Sequence, residues 1–298
     1  MYKQMQFKKF YIFILFFIIN GFCSPVIGLP NPEFSSDKFQ YPNTPNEPAK
    51  LAIIMDDIAG KASDELAFSL PKSVTFAILP HTSYSTPFSY KAASQNREVM
   101  LHMPMESLHK VNLGPYPLLT NMFPGEVRDT LLHALQTVPH AVGVNNHMGS
   151  KLTQMTLQMD SVMQVLANNN LFFIDSRTTK YSRANDLAMQ NGVKSASRHV
   201  FLDHEQNELF LKNQFARSIR IARKHGKAIL IAHPYPITLD FLASQLKRIP
   251  ADIELITVSE FLQETQKFRT NPHLTMKPKF KLKTSSNEQT EQVSPNLE

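Results

Sequence analysis

Six ionisable side chains stand where apolar runs of this sequence end. Asp56 and Asp57 close "LAIIMDD", His102 lies in "EVMLHMPME" and His147 in "AVGVNNHMGS". Asp175 lies in "LFFIDSRTT" and His233 in "AILIAHPYP". One carboxylate with two imidazoles is a ligand set for a catalytic zinc that keeps a position open for water. A second acid beside them has the chemistry of a general base. Any one of these residues could be a hydrogen-bonded core histidine or half of a structural ion pair, as Asp175 with Arg177. Six of them on one predicted face argue for a site.

Strand parity supports that grouping. Side chains alternate along a strand, so Gly143, Asn145 and His147 share a side, as do His102, Pro104 and Glu106, and Asp175 and Arg177. Asp56 and Asp57 are neighbours, so both face inward only if the chain turns there. Asn145 and Asn146 are costly to bury unless paired. They could orient ligands, bind a substrate's hydroxyls, or close the turn after the strand.

The elements that would position these groups alternate. Apolar strands are expected at "LAIIMDD", "VTFAILP", "EVMLHMPME", "AVGVNNHMGS", "LFFIDSRTT", "HVFLDH" and "AILIAHPYP", with "IELITVSEFL" as a last strand and turn. Between them lie helical patterns, among them "ASDELAFSL", "PGEVRDTLLHALQTVP", "YSRANDLAMQNG" and "ELFLKNQFARSIRIARKHG". Strand–helix alternation predicts an α/β chain with a parallel sheet covered by helices. Seven to eight parallel strands favour an irregular (β/α) barrel, whose strand C-termini share one face. No glycine-rich phosphate loop follows the first strand, which argues against an open nucleotide-binding sheet.

Both ends of the 298-residue chain read differently from its middle. Lys3, Lys8 and Lys9 precede an apolar run from Phe10 to Ile19 and then small residues, the order of a secretory signal. Residues 1–28 are expected to be that signal, cleaved after Gly28. The protein would then be secreted across an inner membrane into the periplasm; an uncleaved N-terminal anchor facing the periplasm is the alternative. Residues 29–50 form a Pro/Asn-rich linker, 51–266 the barrel domain, and 267–298 a basic and then polar disordered tail. Cys23, the sole cysteine, falls inside the signal and follows the bulky Phe22, against a lipoprotein and against any disulfide in the mature chain.

The formal charge of +6 sits largely at those ends. Three lysines belong to the signal, and Lys277, Lys279, Lys281 and Lys283 to the tail, which could weakly touch an anionic envelope surface. The middle is near neutral and carries no nucleic-acid motif, so a nucleic-acid partner is excluded.

The ordered stretches "IIMDDIAG", "TFAILP", "EVMLHMPMES", "GPYPLLTNM", "GVNNHMGSKLT", "FFIDSRTT", "VFLD" and "AILIAHPYP" resemble the divergent polysaccharide deacetylase family, a branch of the carbohydrate esterases with a distorted (β/α) barrel. The resemblance covers nearly the whole 51–266 segment. It implies Asp56 as base, Asp57 as metal ligand and His233 as acid. The better-known relatives carry two metal histidines four residues apart. This sequence has His102 but Glu106 at the second position, so the missing ligand would be His147. The resemblance implies a divalent metal cofactor, zinc by preference, and hydrolysis of acetyl groups on an envelope glycan. Asp175 and Arg177 would assist, with Arg177 keeping Asp56 or Asp175 ionised.

Asn145, Asn146, Glu106 and Tyr235 would contact substrate. With no tryptophan in the chain, sugar stacking falls to residues such as Tyr84, Tyr116 or Tyr235. His81, after "AILP", is a peripheral candidate. The altered histidine pattern also fits a non-catalytic glycan-binding or envelope scaffold protein that keeps the fold.

Overall fold

A computed structural model describes residues 47–269. The expected signal, most of the linker and the tail beyond Arg269 lie outside the described residues. β1 (Ala49–Ile58), β2 (Thr75–Ile78), β3 (Val99–Met105), β4 (Ala141–Met148) and β5 (Phe172–Asp175) come first. They are followed by β6 (Ser195–Ser197), β7 (Val200–Phe201), β8 (Lys227–Ala232) and β9 (Ile253–Ile256). All pairings are parallel, in the order β6-β5-β4-β3-β2-β1-β8-β7, with β9 added on the first half of β1. One short stretch joins the two ends of this sheet. Its β6 pairs with β5 and its β7 with β8, while between them Arg198 N–H donates to Asp175 O at 2.9 Å and His199 N–H to Ile229 O at 3.0 Å.

Strand parity divides the core in two. Leu51, Ile53 and Met55 of β1 belong to the outer layer, against the helices. Ala52 and Ile54 belong to the inner one, with Ala77, Met100, Ile174, Ile229 and Ile231. A strand buried on both faces reads as the unbroken apolar run that "LAIIM" displays. Outside the sheet pack α1 (Ser85–Ser94), α2 (Pro124–Thr137), α3 (Thr156–Asn168), α4 (Ala184–Gln190), α5 (Glu208–His225) and α6 (Pro236–Gln245). In α5, Leu211, Phe215, Ser218, Ile219 and Ala222 form the buried stripe; the Asn207 side chain caps its start, and Gly226 at φ 79° ends it.

α7 (Val258–Arg269) closes the inner core from the strands' N-terminal end, contributing Val258, Phe261 and Leu262. The Glu98 carboxylate sits at its N-terminus, accepting from Val258 N–H at 2.8 Å, Ser259 N–H at 3.1 Å and the Thr75 hydroxyl at 2.8 Å. An anion there meets the positive end of the helix dipole.

Several boundaries differ from expectation. β1 takes up Ala49 and Lys50, assigned above to the linker, and α7 replaces the expected turn and runs past 266 into the presumed tail. Ala62–Ser69 winds as a 3-10 helix. β6 had no apolar run to announce it, since "SAS" carries its pairing in backbone alone.

Candidate metal centre

The first strand bends at its acids. Its register with β2 shifts between Met55 and Ile58, and Asp57 has φ 58°. That left-handed turn brings Asp57 to the side Asp56 already faces, which a straight strand forbids. Such a residue costs about 1–3 kcal/mol, and aspartate tolerates it better than most. Asp56 is buried while Asp57 is half-exposed.

Asp57 Oδ1 lies 3.2 Å from His102 Nε2 and 3.0 Å from His147 Nδ1, and those two nitrogens are 3.1 Å apart. Ligand atoms about 2.1 Å from one ion lie about 3.0 Å apart at octahedral angles and about 3.4 Å apart at tetrahedral ones. The triangle has the size of a three-ligand face. Although both imidazoles are within ion-pair distance, Asp57 Oδ1 is shielded from solvent and accepts no hydrogen bond of good geometry among the described residues. A buried acceptor so placed calls for a partner. The donor set, one carboxylate and two imidazoles, suits a divalent metal such as zinc.

Neighbouring groups set the ring states. The Asn145 amide nitrogen donates to Asp56 Oδ1 at 2.8 Å. Asn145 Oδ1 then faces His102 Nδ1 at 2.8 Å, which must donate. The proton is fixed on Nδ1, and the Nε2 lone pair is left towards Asp57 and His147. Burial pushes His102 down, but Asp56 and Asp57 outweigh it and raise it. The two acids thus draw positive charge to this spot. Burial also works to raise Asp57, yet His102 and His147 hold it far below the usual carboxylate range. Asp56 ends up raised, by burial first and by Asp57, against the lowering pull of His102 and His233.

His233 is held by a residue the sequence reading passed over. Asp203, buried after "VFL", accepts from His233 Nδ1 at 2.9 Å, from His233 backbone N–H at 2.7 Å and from the Thr238 hydroxyl at 3.0 Å. Burial pulls His233 down, but Asp203, with Asp56 and Asp57 beyond, lifts it to about 9. Its ring stacks on Phe201 at 5.4 Å and meets Tyr235, at the start of α6, at 5.6 Å. Asp203 carried the signal of the other acids, an ionisable group at the end of an apolar run.

Other expected site residues stand elsewhere. Asp175 shares parity with Phe173 of the outer core and makes no hydrogen bond or ion pair with the triad among the described residues. Ser176 turns inward instead, its hydroxyl 3.5 Å from Asn145 Nδ2. Arg177 is exposed and reaches Asp175 through its backbone N–H at 2.8 Å. The cation that feels both Asp175 and Asp56 is Arg198, anchored by Ser176 O at 2.7 Å and lying 4.1 Å over Phe201.

Asn146 spends its amide on the backbone, accepting from Ser176 N–H at 2.9 Å and donating to Met148 O at 2.7 Å, so it closes the turn. The Glu106 carboxylate is taken by Lys151 at 2.5 Å and by Thr120 N–H at 2.6 Å, which fastens the β3 exit to its neighbouring loops. His147, Asp57, His102 and Asp56 remain together, with His233 close enough for its charge to bear on Asp56.

Comparison with known proteins matches the chain to a family. The family model described as divergent polysaccharide deacetylase matches residues 53–262. An uncharacterized Escherichia coli K12 protein, YibQ, is 38% identical over 224 residues, covering 75% of this chain and 70% of that one. An uncharacterized Haemophilus influenzae protein is 38% identical over 209 residues, 70% of this chain and 75% of that one. Among solved structures, an uncharacterized protein of Agrobacterium tumefaciens C58 shares the fold with a TM-score of 0.69 at 21% identity, covering 74% of this chain and 92% of that one. The chain, with its parallel barrel and its acid–histidine cluster at the strand exits, belongs to the divergent polysaccharide deacetylase family.

Proposed function

We propose that this protein is an exported, metal-dependent hydrolase that removes acetyl groups from an envelope polysaccharide. The observation that carries the reading is the Asp57–His102–His147 triangle with Asp56 beside it. A divalent metal, zinc by preference, would supply a polarised acetyl carbonyl and a more acidic water when bound there.

The chain's own residues supply the rest. Asp56, raised by burial and steadied by Asn145, accepts the proton from the attacking water. His233 is kept protonated by Asp203 and donates to the leaving nitrogen or oxygen. Asn145 hydrogen-bonds both Asp56 and His102, so one side chain holds the base and the ligand. Arg198 offsets the charge of Asp56 from behind Ser176. Export into the periplasm rests on the Lys-rich start and the apolar run that follows it.

The test is acetate release from an acetylated envelope glycan by the zinc-supplied full chain, beside Asp56→Asn and His233→Gln. Release reduced at least a hundredfold in both variants supports the reading. Glycan binding without acetate release in the wild type would favour a binding protein that keeps the fold.

A further inference from the structure

We propose that Tyr116, His81 and His133 form a sugar-stacking subsite on the barrel rim, for a neutral pyranose unit next to the acetylated one. The position of that acetylated unit rests on the hydrolase reading above.

Tyr116 is 62% exposed and yet has φ 48°. A bulky ring in the left-handed region is an outlier, and an exposed side chain recovers nothing from the core for that strain. The segment around it runs from Glu106 to Phe123 with no helix or strand of its own. Loops beyond about 12–15 residues inside a compact domain are commonly functional. This one is pinned at the β3 exit. Leu118, fully buried, donates its N–H to Pro104 O at 2.8 Å and accepts from Glu106 N–H at 2.9 Å. Tyr116 therefore stands two residues from a strand that carries His102.

Three rings meet there. Tyr116 lies 4.9 Å from His81 and 5.7 Å from His133, and the two imidazoles are 4.7 Å apart. His81 follows β2 and also has a left-handed φ, 60°. Its turn is tied to the chain just past Asp57, through Leu79 N–H to Ile58 O at 2.9 Å and the Thr82 hydroxyl to Ala59 O at 2.7 Å. The cluster is thus anchored on both sides to the strands that carry Asp57 and His102.

The chemistry fits a neutral sugar. Aromatic faces accept the C–H face of a pyranose, and imidazole nitrogens accept or donate to hydroxyls. No carboxylate or ammonium belongs to the trio, and burial together with His133 lowers His81 towards its neutral form. His81 Nε2 is shielded from solvent and has no hydrogen-bond partner among the described residues, so the surfaces left to a sugar are those of the exposed Tyr116 and His133.

The experiment is calorimetric titration of the full chain with N-acetylglucosamine and with its β-1,4-linked tetrasaccharide. The wild type is expected to bind the tetrasaccharide more tightly than the monosaccharide. Tyr116→Ala should weaken tetrasaccharide binding about tenfold and leave the monosaccharide unchanged, while Tyr116→Phe retains both. His133→Ala serves as the second variant, with a loss in the same direction. Tetrasaccharide binding by Tyr116→Ala equal to the wild type overturns the proposal, as does a wild type that binds both sugars alike. Because sugar binding and acetate release are measured separately, the two readings fail separately. A Tyr116-dependent difference without acetate release keeps the subsite and retires the hydrolase; acetate release without that dependence does the reverse.

Discussion

Asn145 holds the ring of His102 by a 2.8 Å bond to Nδ1, and the same amide binds Asp56 at 2.8 Å through its nitrogen. One neutral side chain thus sets the tautomer of a candidate ligand and the orientation of the candidate base. Asn145→Ala should weaken zinc binding about 10- to 100-fold. Competition against a chelator measures it, and an unchanged affinity would remove Asn145 from the account.

Asp57 combines a ligand's charge with a backbone few residues tolerate. Asparagine accepts the left-handed turn without the charge, so Asp57→Asn should lose zinc and the attraction of the two imidazoles but add no backbone cost. Asp57→Val should lose zinc and about 1–3 kcal/mol of stability as well. Melting curves under chelator separate the two effects.

Gly143 on β4 makes room for the ring of Phe172 on the neighbouring β5. A Cβ there would lie 2.2 Å from Phe172 Cε2 and 2.5 Å from its Cζ. Gly143→Ala should therefore cost about 1–3 kcal/mol by overpacking, partly restored by adding Phe172→Leu. Gly125→Ala, in the first turn of α2 with nothing within 4 Å of the new methyl among the described residues, should lose no stability and gain up to about 1 kcal/mol, and serves as the control. Urea denaturation gives both numbers.

His233 predicts a pH dependence of stability. Its folded value of about 9 stands above the ordinary 6.5, so the pairing stabilises fully below about pH 6.5 and is lost as pH rises through 9. The shift corresponds to a loss on the order of 3 kcal/mol. Denaturation under chelator at both ends of that window should show the loss in the wild type and not in His233→Gln. Equal pH dependence in the two proteins would contradict the assignment.

Much of this was legible from the chain itself. Apolar runs ending in ionisable groups placed Asp56, Asp57, His102 and His147 on one face, because parallel strands share a C-terminal edge. Parity brought Asn145 to the same side as His147 but misplaced Asp175. The sheet-facing residue at that exit is Ser176, and short β5 gives little pattern to set the phase. Asp203 ends the short apolar run "VFL" and carried the same signal as the other acids, whereas Arg198 stands outside any apolar run and its pull on Asp56 appears only in the fold. Nor could periodicity expose α7, whose apolar start continues the β9 run and whose anchor, Glu98, lies far back in sequence.

The most direct test is bound zinc in the full chain by mass spectrometry, beside His102→Ala and His147→Ala. About one zinc per chain is expected in the wild type, lost in both variants while their circular dichroism is retained. A wild type that binds no zinc when it is supplied, or variants that keep it, would contradict a metal centre at Asp57, His102 and His147.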